Sequence, residues 1–250
     1  MRQNAVLAGL ARRAASLALF LAFGIGAALA GDRAQLNVIG YSSDGHYFAY
    51  EEFGIQDGSG LAYSSIYVID LAADKWTYGT PFDARASEDN PDETLTSVRA
   101  RALANAQESL GPRHVGSAVE ILALLGDGVP DADGKTMVVA NALCCAPGAT
   151  DDSRFTFTLR TYPAKSPETY CTDMDVVGYA LTLDDGQSTS TLHEDGKVLP
   201  HSRGCTLDYR LYAVLAPFDA KGPWVAMVSS YPFGFEGPDR RFLAVPVNAP

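Results

Sequence analysis

The sequence predicts a mainly β fold of the α+β type: an antiparallel β-sandwich or blade-like sheets, with one amphipathic helix near residues 94–110. Three observations carry this expectation. Short runs rich in aromatic and β-branched residues recur along the chain, divided by Gly, Pro, Asp and Ser. One of them, residues 155–162, alternates Phe, Phe and Leu with Thr, Thr and Arg, the period of two of a half-covered strand. A single stretch, 94–110, lacks Gly and Pro and repeats Leu95, Val98, Ala102 and Ala106 at spacings of three or four.

The elements follow in order. Residues 36–40 are short and apolar, 41–45 read as a turn, and the aromatic run 46–53 suits a strand. A glycine-rich loop over 54–60 leads to a partner strand at 65–70, and 73–75 turn the chain back toward Trp76. Residues 83–93 are polar and acidic, as a surface connection would be. Asp92 and Glu93 then complement a helix dipole, and Gly111-Pro112 stops the helix. Its apolar face is thin and alanine-rich, which suits a helix lying on the side of a sheet. Residues 119–125 could be strand or helix. Further strands are expected at 136–142, 176–183, 188–193, 209–215, 224–230 and 242–247. The hairpins at the two ends of the chain share long connections containing Gly and Phe. They are either unrelated hairpins or a remote duplication whose two ends pair in one sheet.

The first thirty residues bear Arg2, Arg12 and Arg13 and no acid, followed by an apolar stretch and Ala28-Leu29-Ala30. These are the parts of a cleaved secretory signal, with a mature start at Gly31. The uncharged stretch 14–30 has 17 residues, at the low edge of what spans a hydrocarbon core of roughly 30 Å. The expected organisation is therefore a signal peptide over 1–30 and a single β-rich domain over 31–250, periplasmic or secreted, with no stable membrane anchor after cleavage. The whole chain carries a net charge of −11; loss of the three arginines leaves −14. Such a surface repels nucleic acid and anionic lipid.

Four cysteines remain: Cys144, Cys145, Cys171 and Cys205. An even count in an oxidising compartment suggests pairing, and metal-binding spacings such as Cys-x-x-Cys are missing. Cys171 and Cys205 flank a strand-rich stretch and each adjoins turn-forming residues, so these two are expected to be bridged. Cys144 and Cys145 are left as buried or separately paired thiols.

The chemistry-bearing candidates are few. Glu51 and Glu52 follow one another on an aromatic strand, so one must face the core and needs a cation, with Arg203, Arg240 and Arg241 as the choices. The run from Phe235 through Glu236, Asp239, Arg240 and Arg241 could grip a carboxylate or phosphate, or cap its own backbone. Ser202 adjoins His201, but no nucleophile elbow surrounds it. Asp127, Asp131 and Asp133 resemble part of a calcium loop whose last position, Ala142, carries no acid. No metal site, cofactor or phosphate loop is expected.

The block from Gly40 to Glu52, with Asp57-Gly58-Ser59-Gly60 and Ile66-Tyr67-Val68-Ile69-Asp70, resembles one end of a family of predicted secreted bacterial proteins of unknown function. Its other end is similar in His193-Glu194-Asp195, in the stretch from Leu199 to Cys205, and in the stretch from Gly234 to Val245. The resemblance implies export and a unified fold, and no chemistry. The same first block also resembles one blade of a propeller, though no repeat period of about 40–50 residues accompanies it.

These readings favour a non-catalytic periplasmic binding or interaction module that meets an envelope protein or a small ligand. Tyr231, Phe233 and Phe235 would serve recognition if they lie outside the core. The alternative is a carboxylate-dependent periplasmic hydrolase using Glu51, Glu52, Glu236 or Asp239. A common, water-reached cleft for Glu52 and Glu236 would favour the hydrolase.

Overall fold

The computed structural model describes residues 31–126, 133–140, 154–218 and 222–248. Residues 1–30, expected to be a signal peptide, and Cys144, Cys145, Asp127 and Asp131 lie outside them. By its contacts the chain divides between Ala30 and Gly31, and the larger unit is Gly31–Pro250.

Three antiparallel sheets account for this unit. The first holds β1 (Gln35–Ser42), β2 (Tyr47–Ile55), β3 (Ala62–Asp70), β4 (Lys75–Trp76), β5 (Phe82–Arg85) and β6 (Val115–Ser117), in the order β4-β3-β2-β1-β6 with β5 also on β3. After β5 comes the helix α1 (Leu95–Leu110), capped by the Thr94 hydroxyl, which accepts the Ser97 N–H. The second sheet is β14-β13-β12-β7, built from β7 (Val119–Leu124), β12 (Thr206–Pro217), β13 (Trp224–Pro232) and β14 (Arg241–Val247). The third is β11-β10-β9-β8, from β8 (Thr136–Ala140), β9 (Arg154–Pro163), β10 (Val177–Asp184) and β11 (Thr189–Glu194). The fold is thus mainly β with one helix, and the ambiguous run at 119–125 is a strand paired with β12.

The second sheet lies between the other two. Its residues Leu211, Val214, Ala226, Val228, Val245 and Val247 pack on Phe157, Leu159, Tyr179 and Leu181 of the third sheet. The alternate residues Ala213, Leu215, Val225, Met227 and Phe242 pack on Tyr41, Phe48 and Tyr50 of the first. Covered on both faces, β12 and β13 read as unbroken apolar runs, 213–217 and 224–228. The far face of the first sheet carries Ala49, Ala62, Val68 and Ala84 against Val98, Ala102 and Ala106 of α1. Small residues on both sides explain why a thin alanine stripe is enough for this helix.

The two end hairpins do not pair in one sheet. β2–β3 and β13–β14 belong to different sheets that face one another, joined along the backbone by the bridge between Arg33 and Arg240. Gly40, at φ 127°, permits the bulge of β1 against β2 and the close approach of β6 on the other side, where a Cβ would lie 2.2 Å from the Ser117 carbonyl oxygen.

Cys171 and Cys205 form a disulfide, with Cα atoms 5.4 Å apart and a sequence separation of 34. Closing a loop of that length is worth roughly 3–4 kcal/mol in the chain-entropy model. The bridge packs with Val176 and Leu199 and ties the start of β12 to the 3-10 turn Thr169–Cys171. It thereby also holds the adjoining 3-10 turn His201–Arg203, whose Arg203 reaches a cleft beside β14.

Candidate functional site

Glu51 and Glu52 are both buried, at 4% and 2% exposure, because both faces of β2 are covered. Glu51 points to the helix side. Arg99 of α1 grips it with Nε to Oε1 at 2.8 Å and Nη2 to Oε2 at 2.7 Å. The Ser64 hydroxyl and the Asn37 amide donate to the same carboxylate at 2.8 and 2.9 Å. Burial opposes its charge, but these donors outweigh burial and hold its pKa below the ordinary range. Its partner is therefore Arg99 rather than Arg203, Arg240 or Arg241.

Glu52 points the other way, to the edge of β14, where the Phe242 N–H donates to Oε1. Complete burial pushes its pKa up to about 7, against that hydrogen bond, the Arg241 charge and the Tyr67 hydroxyl beside it. Glu236 is exposed on the β13–β14 loop. The two carboxylates do not share a cleft.

The loop's other charges turn inward on the beginning of the described chain. Arg241 Nη2 lies 2.8 Å from Asp32 Oδ2 and 3.5 Å from Asp239 Oδ2. The Asp32 N–H donates to Asp239 Oδ1 at 2.9 Å, and the Tyr63 hydroxyl to Asp32 Oδ1 at 2.9 Å. Arg240, fully buried, donates through Nε and Nη2 to the Ala34 carbonyl and lies over the Phe242 ring. Desolvation raises the Asp239 pKa and lowers that of Arg240. Of the loop aromatics, Phe233 and Phe235 are exposed, while Tyr231 is half-buried beside Arg210.

A cleft of about 160 Å³ opens elsewhere, over the free edge of the second sheet. The edge strands of the three sheets, β4, β14 and β11, lie at the cleft, and β14 forms its floor with Leu243, Ala244 and Val245. Tyr50, Asp74, Lys75 and Trp76 form the wall from the first sheet; Tyr179 and His193 of the third sheet form the opposite wall with Ser202 and Arg203 of the 3-10 turn His201–Arg203. Tyr50 stacks on Tyr67, with ring centroids 4.8 Å apart, and Trp76 meets Tyr67 at a tilt, 5.3 Å away. On the opposite wall His193 stacks on Tyr179 at 4.6 Å.

The wall from the third sheet is organised by Asp195, buried behind it. Its Oδ1 meets His193 Nε2 at 2.9 Å, its Oδ2 accepts the Tyr179 N–H at 3.1 Å, and Arg203 Nη2 lies 3.7 Å away. Burial disfavours its charge, but His193, Arg203 and the Tyr179 N–H together keep its pKa below the ordinary value. Asp195 is thus well supplied with donors. Arg203, only 12% exposed, has an Nε without a hydrogen-bond partner among the described residues, and so does the Tyr179 hydroxyl. His201 turns away to Glu168 Oε1 at 2.8 Å rather than to Ser202.

Most of these residues escaped the sequence because they come from three sheets. Two signals were present: Pro246 inside a strand pattern marks an edge strand, and Arg203 stands two residues before a structural cysteine. Among the described residues no group of three or more His, Cys, Asp or Glu could hold a metal ion. No helix there is long and apolar enough to cross a membrane.

Compared with curated proteins and with solved structures, the chain gave no match. A family model does match, over residues 49–248, a span that takes in every wall of the cleft. The chain belongs to the family described as predicted secreted protein, domain of unknown function 2259 (DUF2259).

Proposed function

We propose that the protein is a non-catalytic binding module of the periplasm, released from its signal segment before Gly31, and that the cleft over β14 receives a small carboxylate-bearing ligand. The observation that carries this reading is Arg203. It is a nearly buried cation, held two residues before the disulfide cysteine Cys205, in a cleft whose nearby acid Asp195 is already served by other donors. A buried guanidinium with unused N–H capacity favours an anionic guest. Lys75 adds positive charge against the single lining acid Asp74, and the aromatic walls suit an apolar body. A hydrolase built on carboxylates has less support, since Glu52 is sealed and Glu236 sits apart on an exposed loop.

Benzoate, a ring with one carboxylate, is a suitable probe. Isothermal titration should give a Kd on the order of 1 mM, weakened at least tenfold in Arg203→Gln through loss of a charge-assisted bond. Equal binding by that variant would refute the site. Mass spectrometry of the exported protein should find Gly31 as its first residue; an intact Met1 would refute the maturation.

A further inference from the structure

The floor of the cleft is a short piece of unpaired strand. β14 pairs with β13 on one side only. On the other side Phe242 gives its N–H to Glu52 and its carbonyl accepts from the Tyr50 hydroxyl. By the alternation of an antiparallel ladder, Ala244 turns its N–H and C=O the same way, and Ala244 lines the cleft. Two residues on, Pro246 has no N–H to offer. The open edge is therefore one residue long, closed at Phe242 and donor-free at Pro246.

An extended chain laid antiparallel on this edge would exchange two hydrogen bonds with Ala244. Running opposite to β14, it would point its C-terminal end toward Phe242. Tyr50 and Glu52 already occupy the edge there, so such a chain cannot continue and has to end. Arg203 stands near that end: it lies over Tyr179, Tyr179 packs on Tyr209, and Tyr209 is paired through Ser230 with Arg241, the residue before Phe242. The volume, about 160 Å³, suits a terminal residue rather than a long segment, and Trp76, 43% exposed, offers a ring face to its side chain.

We infer that the cleft takes the free C-terminus of an extended peptide, paired antiparallel to Ala244 with its carboxylate on Arg203; this rests on the cleft being the binding site. It is strand addition limited to one register by the blocked edge.

The test is isothermal titration of the mature protein with four probes: N-acetyl-trialanine as the free acid, its C-terminal amide, its depsipeptides with each amide in turn replaced by an ester, and benzoate. The acid should bind at least tenfold more tightly than benzoate and at least tenfold more tightly than the amide. One ester position should weaken it several-fold by deleting the donor to the Ala244 carbonyl. Ala244→Pro, which deletes only the edge N–H, should weaken the acid about tenfold and leave benzoate unchanged; the depsipeptides give the same information on the native chain if that variant misfolds. Benzoate binding with no gain for the peptide acid, or with no effect of amidation or of any ester, overturns the peptide inference and leaves the cleft reading standing. No binding of either benzoate or the peptide acid overturns both.

Discussion

Glu51 and Glu52 are neighbours on one strand, both shut off from solvent and of the same chemistry, and the fold holds them in opposite states. Glu51 receives two bonds from Arg99 and one each from Ser64 and Asn37. Glu52 receives one backbone N–H, with a hydroxyl and a more distant arginine for company. The first is held ionised, with its pKa depressed; the second is pushed up to about 7. Both are shut off from solvent, but Glu52 lies deeper in the protein, beside no exposed partner among the described residues; greater depth and a poorer supply of donors push its pKa in the same direction. A covering helix brings a long cationic side chain onto one face of β2, whereas a covering sheet presents on the other face mainly its own edge.

The largest test of this contrast is the pH dependence of stability. The folded pKa of Glu52 lies above its ordinary 4.5, so its contribution is fully present below 4.5. It is lost as the pH rises from there, and the loss is complete above about 7. A shift of that size corresponds to about 3 kcal/mol. Urea unfolding at pH 5 and pH 8 should show this loss in the native chain and its disappearance in Glu52→Gln, which keeps an acceptor for Phe242. An unchanged slope in that variant would show that Glu52 is not the group responsible. For Glu51 the sign is reversed: its stabilisation is present above the ordinary pKa of 4.5 and fades as the pH falls through the depressed folded value.

Arg99→Ala comes next. It leaves Glu51 with Ser64 and Asn37 alone, a buried charge without its cation. Because Arg99 is itself about a third exposed, the loss at pH 7 should be about 2 kcal/mol rather than the larger cost of a fully buried pair. The same variant should raise the Glu51 pKa and so make the two neighbours more alike. A stability loss without any change in Glu51 titration would mean that Arg99 acts through its packing over Phe53, 3.8 Å from the ring centroid.

How much of this the sequence discloses depends on how local each determinant is. The helix, most of the strands and the Cys171–Cys205 pair follow from periodicity, turn residues and cysteine placement. The burial of a glutamate on the aromatic strand follows too, but not that of both, because alternation speaks of one sheet and says nothing of what covers its second face. Arg99 is 48 residues from Glu51, on a helix whose docking is set by alanines that carry no charge signal. The cleft is less legible still. Tyr50, Trp76, His193, Arg203 and Ala244 are each ordinary in their own stretch of chain. They converge because β14, at the edge of the second sheet, faces both outer sheets.

The smallest effect separates the neighbours most cleanly. Arg241 lies toward Glu52 and away from Glu51, and its charge lowers the Glu52 pKa against the burial that raises it. Arg241→Gln removes that charge and leaves the carboxylate sealed, so Glu52 should titrate at a higher pH than in the native chain. The destabilisation that begins near the ordinary carboxylate pKa should then extend further toward alkaline pH. Asp32 also loses its 2.8 Å partner, so overall stability alone would confuse the two consequences. Carboxyl carbon NMR of labelled glutamate avoids this by reporting each group separately. The Glu52 resonance should move its midpoint upward while that of Glu51, held by Arg99 on the far side of the sheet, stays in place. A shift shared by both would mean that the two faces of β2 are electrostatically continuous, and that the separate surroundings of each face are not what set them apart.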